Sequence, residues 1–260
     1  MLRRLPKTEL HLHLDGSLPF EFIKSRALAR NIQFTSTTPQ ELRNFIHDMK
    51  TKARSIDPSH AQEKNKNWGV FDWCNQFLQT KEELTSAAAL ICRNVGEQHN
   101  VFRTELRFCP TLHTMEDLTP REAVNAVVEG VQQSGGGGVI ICALRSHDAI
   151  HSMEMAQLTI DLHNDTAGVV CGFDIAGDEG SFPLSLHQEA IKLCKANNVP
   201  VTVHAGEWPG TIDNIRLALE LNVDRIGHGW GMHEYPEVME LCKEKECVVE
   251  ICLTSNVKPG

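Results

Sequence analysis

The chain has 260 residues, 41% of them hydrophobic and 23% charged, an ordinary globular composition for one large core or two small ones. A formal net charge of −9 argues against a nucleic-acid backbone or an anionic membrane surface as the main partner. No apolar run approaches the roughly 18 residues a membrane span needs, and nine cysteines without a CxxC pair read as reduced thiols of a cytosolic protein.

Residues 1–6 lead directly into the first predicted strand, so no secretory signal is expected ahead of it. That strand spans residues 7–14 and carries Pro6-Lys-Thr-Glu-Leu-His-Leu-His-Leu-Asp-Gly-Ser17. Successive side chains of a strand point to opposite faces. His11 and His13 therefore share a face and are close enough to share one metal ion. Asp15 continues on that face, and Gly16 ends the strand. A bare His-x-His is also compatible with two ordinary core histidines, so the rest of the chain has to decide.

Helices are predicted over 19–30, with Ser17 as cap and Pro19 in the first turn, and over 39–47. Residues 48–73 are polar and read as an irregular insertion over one end of the core, of the kind that serves as a lid or binding segment. A helix follows at 81–99. Then comes a regular rhythm: strand 101–109, helix 120–133, a glycine joint at Gly135–Gly138, strand 139–145, helix 149–164, strand 168–175, helix 184–197, strand 200–204, helix 211–221, a short strand 224–227, helix 234–245 and strand 247–253.

Such alternation implies parallel pairing with right-handed crossovers. The apolar runs from Val139 to Leu144, Val169 to Ile175 and Val248 to Leu253 suit strands buried on both faces. The expected fold is one α/β domain over 1–260, a TIM-type (β/α)8 barrel lacking its eighth strand and the following helix. The length suits a barrel of about 250 residues. A doubly wound open sheet is the alternative, but Asp15-Gly-Ser17 stands where that fold would carry a glycine-rich phosphate loop.

The chemistry collects at the C-terminal ends of the predicted strands. His11, His13 and Asp15 end the first; Gly177, Asp178 and Glu179 follow the fourth; His204, Gly206 and Glu207 end the fifth; His228 ends the sixth; Thr254, Ser255 and Asn256 follow the seventh. In a parallel barrel these ends share the face where active sites lie. Each residue has an ordinary reading: His204 as a satisfied core histidine, Glu207 as a helix-entry carboxylate, His228 as a turn residue between glycines. Together they form a constellation. Three imidazoles plus one carboxylate or water suit Zn²⁺, a carboxylic acid at 207 could donate a proton, and His228 could hold or deprotonate an attacking water.

At this point the sequence resembles the adenosine/AMP deaminase family. The matching stretches are residues 6–17, Gly172-Phe-Asp-Ile-Ala-Gly-Asp-Glu179, Val203-His-Ala-Gly-Glu207, Arg225-Ile-Gly-His-Gly229 and Glu250-Ile-Cys-Leu-Thr-Ser-Asn256, in the family's order and at its approximate spacing. The resemblance implies a cytoplasmic enzyme of purine salvage. It would use one Zn²⁺ to deaminate adenosine and 2′-deoxyadenosine to inosine and ammonia. His11, His13 and His204 match the zinc-binding histidines, with His13 also beside the substrate. Glu207 matches the acid that protonates N1 of the purine, and His228 the histidine that assists the attacking water. Gly177 matches the backbone N–H that meets purine N3, and Asp15 the carboxylate that binds ribose hydroxyls.

A carboxylate at Asp15 would repel a 5′-phosphate, and no basic cluster stands at the strand ends. This favours the nucleoside over AMP or N6-methyl-AMP. An adenine deaminase and a non-catalytic metal- or adenosine-binding protein are the other readings. The family's fourth zinc ligand, an aspartate ending the eighth strand, is absent from this chain. The expected result is an open barrel edge prone to aberrant pairing, and a polypeptide that is unstable or nearly inactive next to an active full-length parent.

Overall fold

Period-2 alternation along the strands sorts side chains between two very different surroundings. The computed structural model describes residues 4–54 and 69–257. Its strands are β1 (Lys7–His13), β2 (Val101–Phe108), β3 (Gly138–Leu144), β4 (Val170–Ala176), β5 (Val201–Ala205), β6 (Arg225–His228) and β7 (Val248–Glu250). They form one seven-stranded sheet in sequence order, and every pairing is parallel. Leu106 and Phe108, Ile141 and Ala143, Phe173 and Ile175, Val203 and Ala205, and Ile226 face outward into one apolar core against the helices. Between them, Glu105, Arg107, Asp174, Thr202, His204 and Glu250 are buried on the inner face. The sheet curls until the first and last strands meet across the lumen, where His11 Nδ1 lies 2.7 Å from Glu250 Oε2. This is a (β/α) barrel wall of seven strands. Its charged lumen differs from the expectation of strands apolar on both faces, which holds for β3 alone.

The helices are α1 (Phe20–Ala29), α2 (Pro39–Arg54), α3 (Gly69–Asn75), α4 (Lys81–His99), α5 (Pro120–Gln133), α6 (Ala149–Asp165), α7 (Gln188–Ala196), α8 (Ile212–Glu220), α9 (Pro236–Glu244) and α10 (Leu253–Val257). Local signals start several of them. Thr80 with Glu83 and Thr119 with Glu122 form reciprocal capping boxes at α4 and α5, satisfying backbone donors that a helix N-terminus leaves bare. Asp148 caps α6 by accepting from the His151 N–H. Among the described residues no helix is long and apolar enough to cross a membrane. None of the nine cysteines forms a disulfide, and six of them are buried.

Two expectations need correcting. The irregular insertion over 48–73 is helical at both described ends: α2 continues through Arg54 and α3 begins at Gly69. Thr38 Oγ1 accepts from the Glu41 N–H at the start of α2. Leu42 and Ile46 pack on the core, and Phe45 meets Trp73 of α3 at 5.1 Å between ring centroids. That i, i+3, i+4 stripe carries the helix on, and the polar residues belong to its solvated side. Residues 55–68, with the polar stretch Gln62 to Asn67, lie outside the described residues. The second correction is β7. It stops at Glu250 instead of running through Leu253, and Ile251 and Leu253 are exposed. Among the described residues β7 pairs with β6 alone, so one side of its backbone gains nothing from staying extended, and the chain turns into α10.

Helices α4 and α5 cross closely because position 130 has no side chain. A Cβ there would lie 2.3 Å from the Thr85 carbonyl oxygen and 2.8 Å from Ala88 Cβ. Alanine is favoured over glycine inside a helix by about 1 kcal/mol, while overpacking costs about 1–3 kcal/mol. Backbone cannot yield as a flexible side chain does, so sterics win. Gly130→Ala is expected to lower unfolding stability by about 1–2 kcal/mol in urea denaturation; a gain in stability would refute the close crossing.

Candidate active site

Strand periodicity and register bring the predicted residues to one mouth of the barrel. His11 and His13 share the inner face of β1. His204 ends β5, and pairing of Ala205 with His228 sets the ends of β5 and β6 side by side. Ring centroids of His11 lie 5.4 Å from His13, 4.7 Å from His204 and 5.1 Å from His228. His13 Nε2 is 3.1 Å from His204 Nε2. One ligand atom each from His11, His204 and His228 lies within 4.8 Å of the others. All four imidazoles expected from the sequence therefore converge, and none stands apart.

Backbone features make the convergence possible. A Cβ at Gly227 would sit 2.8 Å from His11 Cε1, so only glycine leaves room for that ring. His228 holds φ 74°, a left-handed conformation that costs a non-glycine residue about 1–3 kcal/mol and is retained where surrounding structure demands it. Its Nδ1 lies 3.4 Å from Asn256 Nδ2. Asn256 is buried, whereas Thr254 and Ser255 are exposed on α10 and take no part in the site. Gly177 follows β4 directly with φ 105°.

Burial favours the neutral form of three of these rings. It lowers His11 to about 4 and His228 to about 2, and it takes His13 well below the ordinary histidine value. Uncharged imidazoles at these separations offer nitrogen lone pairs to a borderline divalent cation, for which such a donor set fits. Glu207 behaves in the opposite sense: burial raises its pKa, helped by the nearby Glu179 carboxylate. Its Oε1 lies 3.8 Å from His228 Nε2. The backbone carrying it is pinned by Glu179, whose carboxylate accepts from the Gly206 N–H at 2.9 Å and the Glu207 N–H at 2.8 Å.

The sequence reading gave no role to several charged residues that surround the histidines. Asp174 lies 3.0 Å from His204 Nδ1, and Glu250 lies 2.7 Å from His11 Nδ1. Arg107 donates to Asp174 at 2.9 Å, to Glu250 at 2.7 Å and to the Leu10 carbonyl at 2.6 Å. Arg145 donates to the backbone carbonyls of Phe182 and His204. A charged residue inside an apolar strand run was the available signal: Glu105-Leu-Arg-Phe108, Phe173-Asp-Ile175 and Val249-Glu-Ile251 each carry one or more. Two arginines stand near the ends of β2 and β3, but they form no basic cluster open to the mouth of the barrel. Both are fully buried, and each is committed to partners in the wall.

Asp15 is buried, and its Oδ1 has no hydrogen-bond partner in the protein. Burial raises its pKa from 3.8 to about 7. A carboxyl raised on folding stabilises fully below its unfolded value, and that contribution is lost as pH rises through the folded value. Asp15→Asn removes the titration. Thermal unfolding should show the variant more stable than wild type near pH 8, with the gap closing near pH 4. A gap that does not change with pH would show that the Asp15 carboxyl does not titrate in this way.

The adenosine deaminase family profile matches residues 6–260. Adenosine deaminase of Enterococcus faecalis is 34% identical over 265 residues, covering 100% of this chain and 74% of its own length. Among solved structures, arabidopsis N6-mAMP deaminase superposes with a TM-score of 0.77 at 22% identity, covering 98% of this chain and 74% of that one. An amidohydrolase from Burkholderia ambifaria with bound Zn superposes with a TM-score of 0.81 at 21% identity, covering 99% and 69%. At those identities the two structures share the fold. The profile and the curated relative establish more, and this chain belongs to the adenosine deaminase family.

Proposed function

We propose that this site carries out hydrolytic deamination of adenosine and 2′-deoxyadenosine to inosine and ammonia, with one Zn²⁺, in cytoplasmic purine salvage. The observation that carries the reading is the pairing of Glu207, whose carboxyl is raised by burial, with His228 at 3.8 Å beside the histidine cluster. His11, His13 and His204 would hold the cation, and the zinc-bound neighbour of the same fold supports that choice of metal. When bound, Zn²⁺ supplies a Lewis acid that makes water nucleophilic near neutral pH.

The protein's own groups supply the proton traffic. Glu207 in its protonated form donates to N1 of the purine, which makes C6 electrophilic. Neutral His228 accepts a proton from the attacking water as its oxygen bonds to C6. The C6–N6 bond then breaks as the nitrogen takes the proton held by His228 and leaves as ammonia, and the C6 hydroxyl returns a proton to Glu207, which leaves the C6 carbonyl with N1 protonated. The unpaired Oδ1 of Asp15 accepts from a ribose hydroxyl, and the Gly177 N–H meets purine N3. Nine cysteines without a disulfide suit a reducing compartment.

A nucleotide substrate is the second reading, favoured by likeness to the arabidopsis N6-mAMP deaminase. Two observations weigh against it. Arg107 and Arg145 are sealed in the wall with partners, and a 5′-phosphate would oppose ionisation of the buried Asp15 carboxyl, which titrates at about 7. A pure binding protein would have no need of a proton donor and acceptor beside the metal.

The test is single-turnover ultraviolet absorbance with enzyme in excess, using adenosine, adenine, AMP and N6-methyl-AMP. Adenosine should be converted fastest, and Glu207→Gln should slow conversion about 10²–10⁴-fold. Preference for a nucleotide, or a Gln variant as fast as wild type, would overturn the assignment.

A further inference from the structure

We propose that Asp174 and Glu250 are positioning residues that fix the ring proton of His204 and His11 on Nδ1, with Arg107 setting the orientation of both carboxylates. The inference rests on the metal-site reading above and asks what makes those imidazoles competent.

An ionised carboxylate can only accept a hydrogen bond, and a neutral imidazole has one N–H and one lone pair. Glu250 Oε2 faces His11 Nδ1 at 2.7 Å, and Asp174 Oδ1 faces His204 Nδ1 at 3.1 Å. Each ring must therefore donate from Nδ1 and keep its lone pair on Nε2. The opposite tautomer would set a lone pair against a buried carboxylate and turn an N–H toward the other histidines. The Nε2–Nε2 contact of His13 and His204, at 3.1 Å, agrees with this. In its neutral form His204 has no proton left to give there, so His13 donates, or both lone pairs meet one cation.

A carboxylate alone could rotate out of this role. Arg107 prevents it. Its guanidinium is a rigid planar fork that holds its charge throughout the working pH range. One nitrogen meets Asp174 Oδ2, and the other meets both Glu250 Oε2 and the Leu10 carbonyl, the residue before His11. A single side chain thus ties both carboxylates to the backbone of the strand that bears the histidine pair. Such outer partners commonly change metal affinity about 10–100-fold.

Arg107 makes the consequence of one substitution readable. In Asp174→Asn the amide oxygen must face Arg107, which has no lone pair to offer. The amide NH₂ then takes the place of Oδ1, the oxygen aligned with His204 Nδ1 at 3.1 Å, while the amide oxygen in the place of Oδ2 lies 3.0 Å away but off the hydrogen-bond direction, so the ring accepts and its proton moves to Nε2. Long-range ¹⁵N–¹H correlation spectra of histidine-labelled protein, with metal removed by chelator, report the tautomer of each ring. His204 and His11 of the wild type should both show Nδ1–H. The Asn variant should switch His204 alone, and chelator competition should show zinc binding weakened about 10–100-fold. Wild-type His204 protonated on Nε2 would overturn the proposal, as would an Asn variant that keeps both the Nδ1 proton and the zinc affinity. Should the variant fail to fold, the wild-type spectrum decides alone. Absence of deaminase turnover would remove the functional reading and leave the ring-proton result standing, so the two failures are distinct.

Discussion

The guanidinium of Arg107, sealed between Asp174 and Glu250, is the interaction on which the rest of the architecture depends. Burying three charges is expensive, and a pair broken on one side leaves an uncompensated ion that costs about 3–5 kcal/mol. Here the three charges pair with one another, Arg107 Nε alone standing without a hydrogen-bond partner, and they belong to β2, β4 and β7. Arg225 of β6 extends the set, reaching Glu105 at 2.8 Å and Glu250 at 3.2 Å. The lumen is therefore stitched by ion pairs between strands remote in sequence, while apolar packing holds the outer face to the helices. The stitching matters most between β1 and β7. No sheet pairing joins these strands among the described residues, and His11, Arg107 and Glu250 span the gap.

The same division explains what could be read in advance. Six strands and the main helices were legible because outward-facing apolar residues recur with a clear period, and the helices that Thr80, Thr119 and Asp148 cap begin where that period does. The convergence of the candidate site residues was legible because four histidines and Glu207 sit at strand ends, and parallel strands send such ends to one face. Strand β7 was overextended because Val248 to Leu253 looks apolar but for Glu250, although hydropathy carries no information about which strand edges find partners. Helix α2 was cut short because a solvated helical face reads as a polar loop when only its average composition is weighed. Asp174 and Glu250 lay within motifs already singled out, but their roles depend on which ring nitrogen each touches, a relation set by tertiary packing.

The site combines rigid and yielding parts. The imidazoles are held by carboxylates, by the room left at Gly227 and by the unusual backbone of His228. Glu207 has a side chain 26% exposed, although its backbone is clamped through Glu179. This distribution suits a reaction in which ligand nitrogens must stay fixed while a proton donor meets an arriving base. Preorganised dipoles and partners incur no reorganisation cost at the moment of reaction.

The buried cysteines have a further consequence. Thiolate is the reactive form toward alkylating agents, and burial raises Cys109 to about 11, Cys194 to about 12, and Cys142 well above the ordinary thiol value. These sulfurs line both compartments of the molecule: Cys109 and Cys142 in the small lumenal cluster, and Cys194 in the outer core. In the closed molecule they are shielded and protonated. Alkylation at each therefore proceeds only as fast as that compartment opens to water, and the chain carries built-in chemical clocks for breathing of its lumen and of its shell.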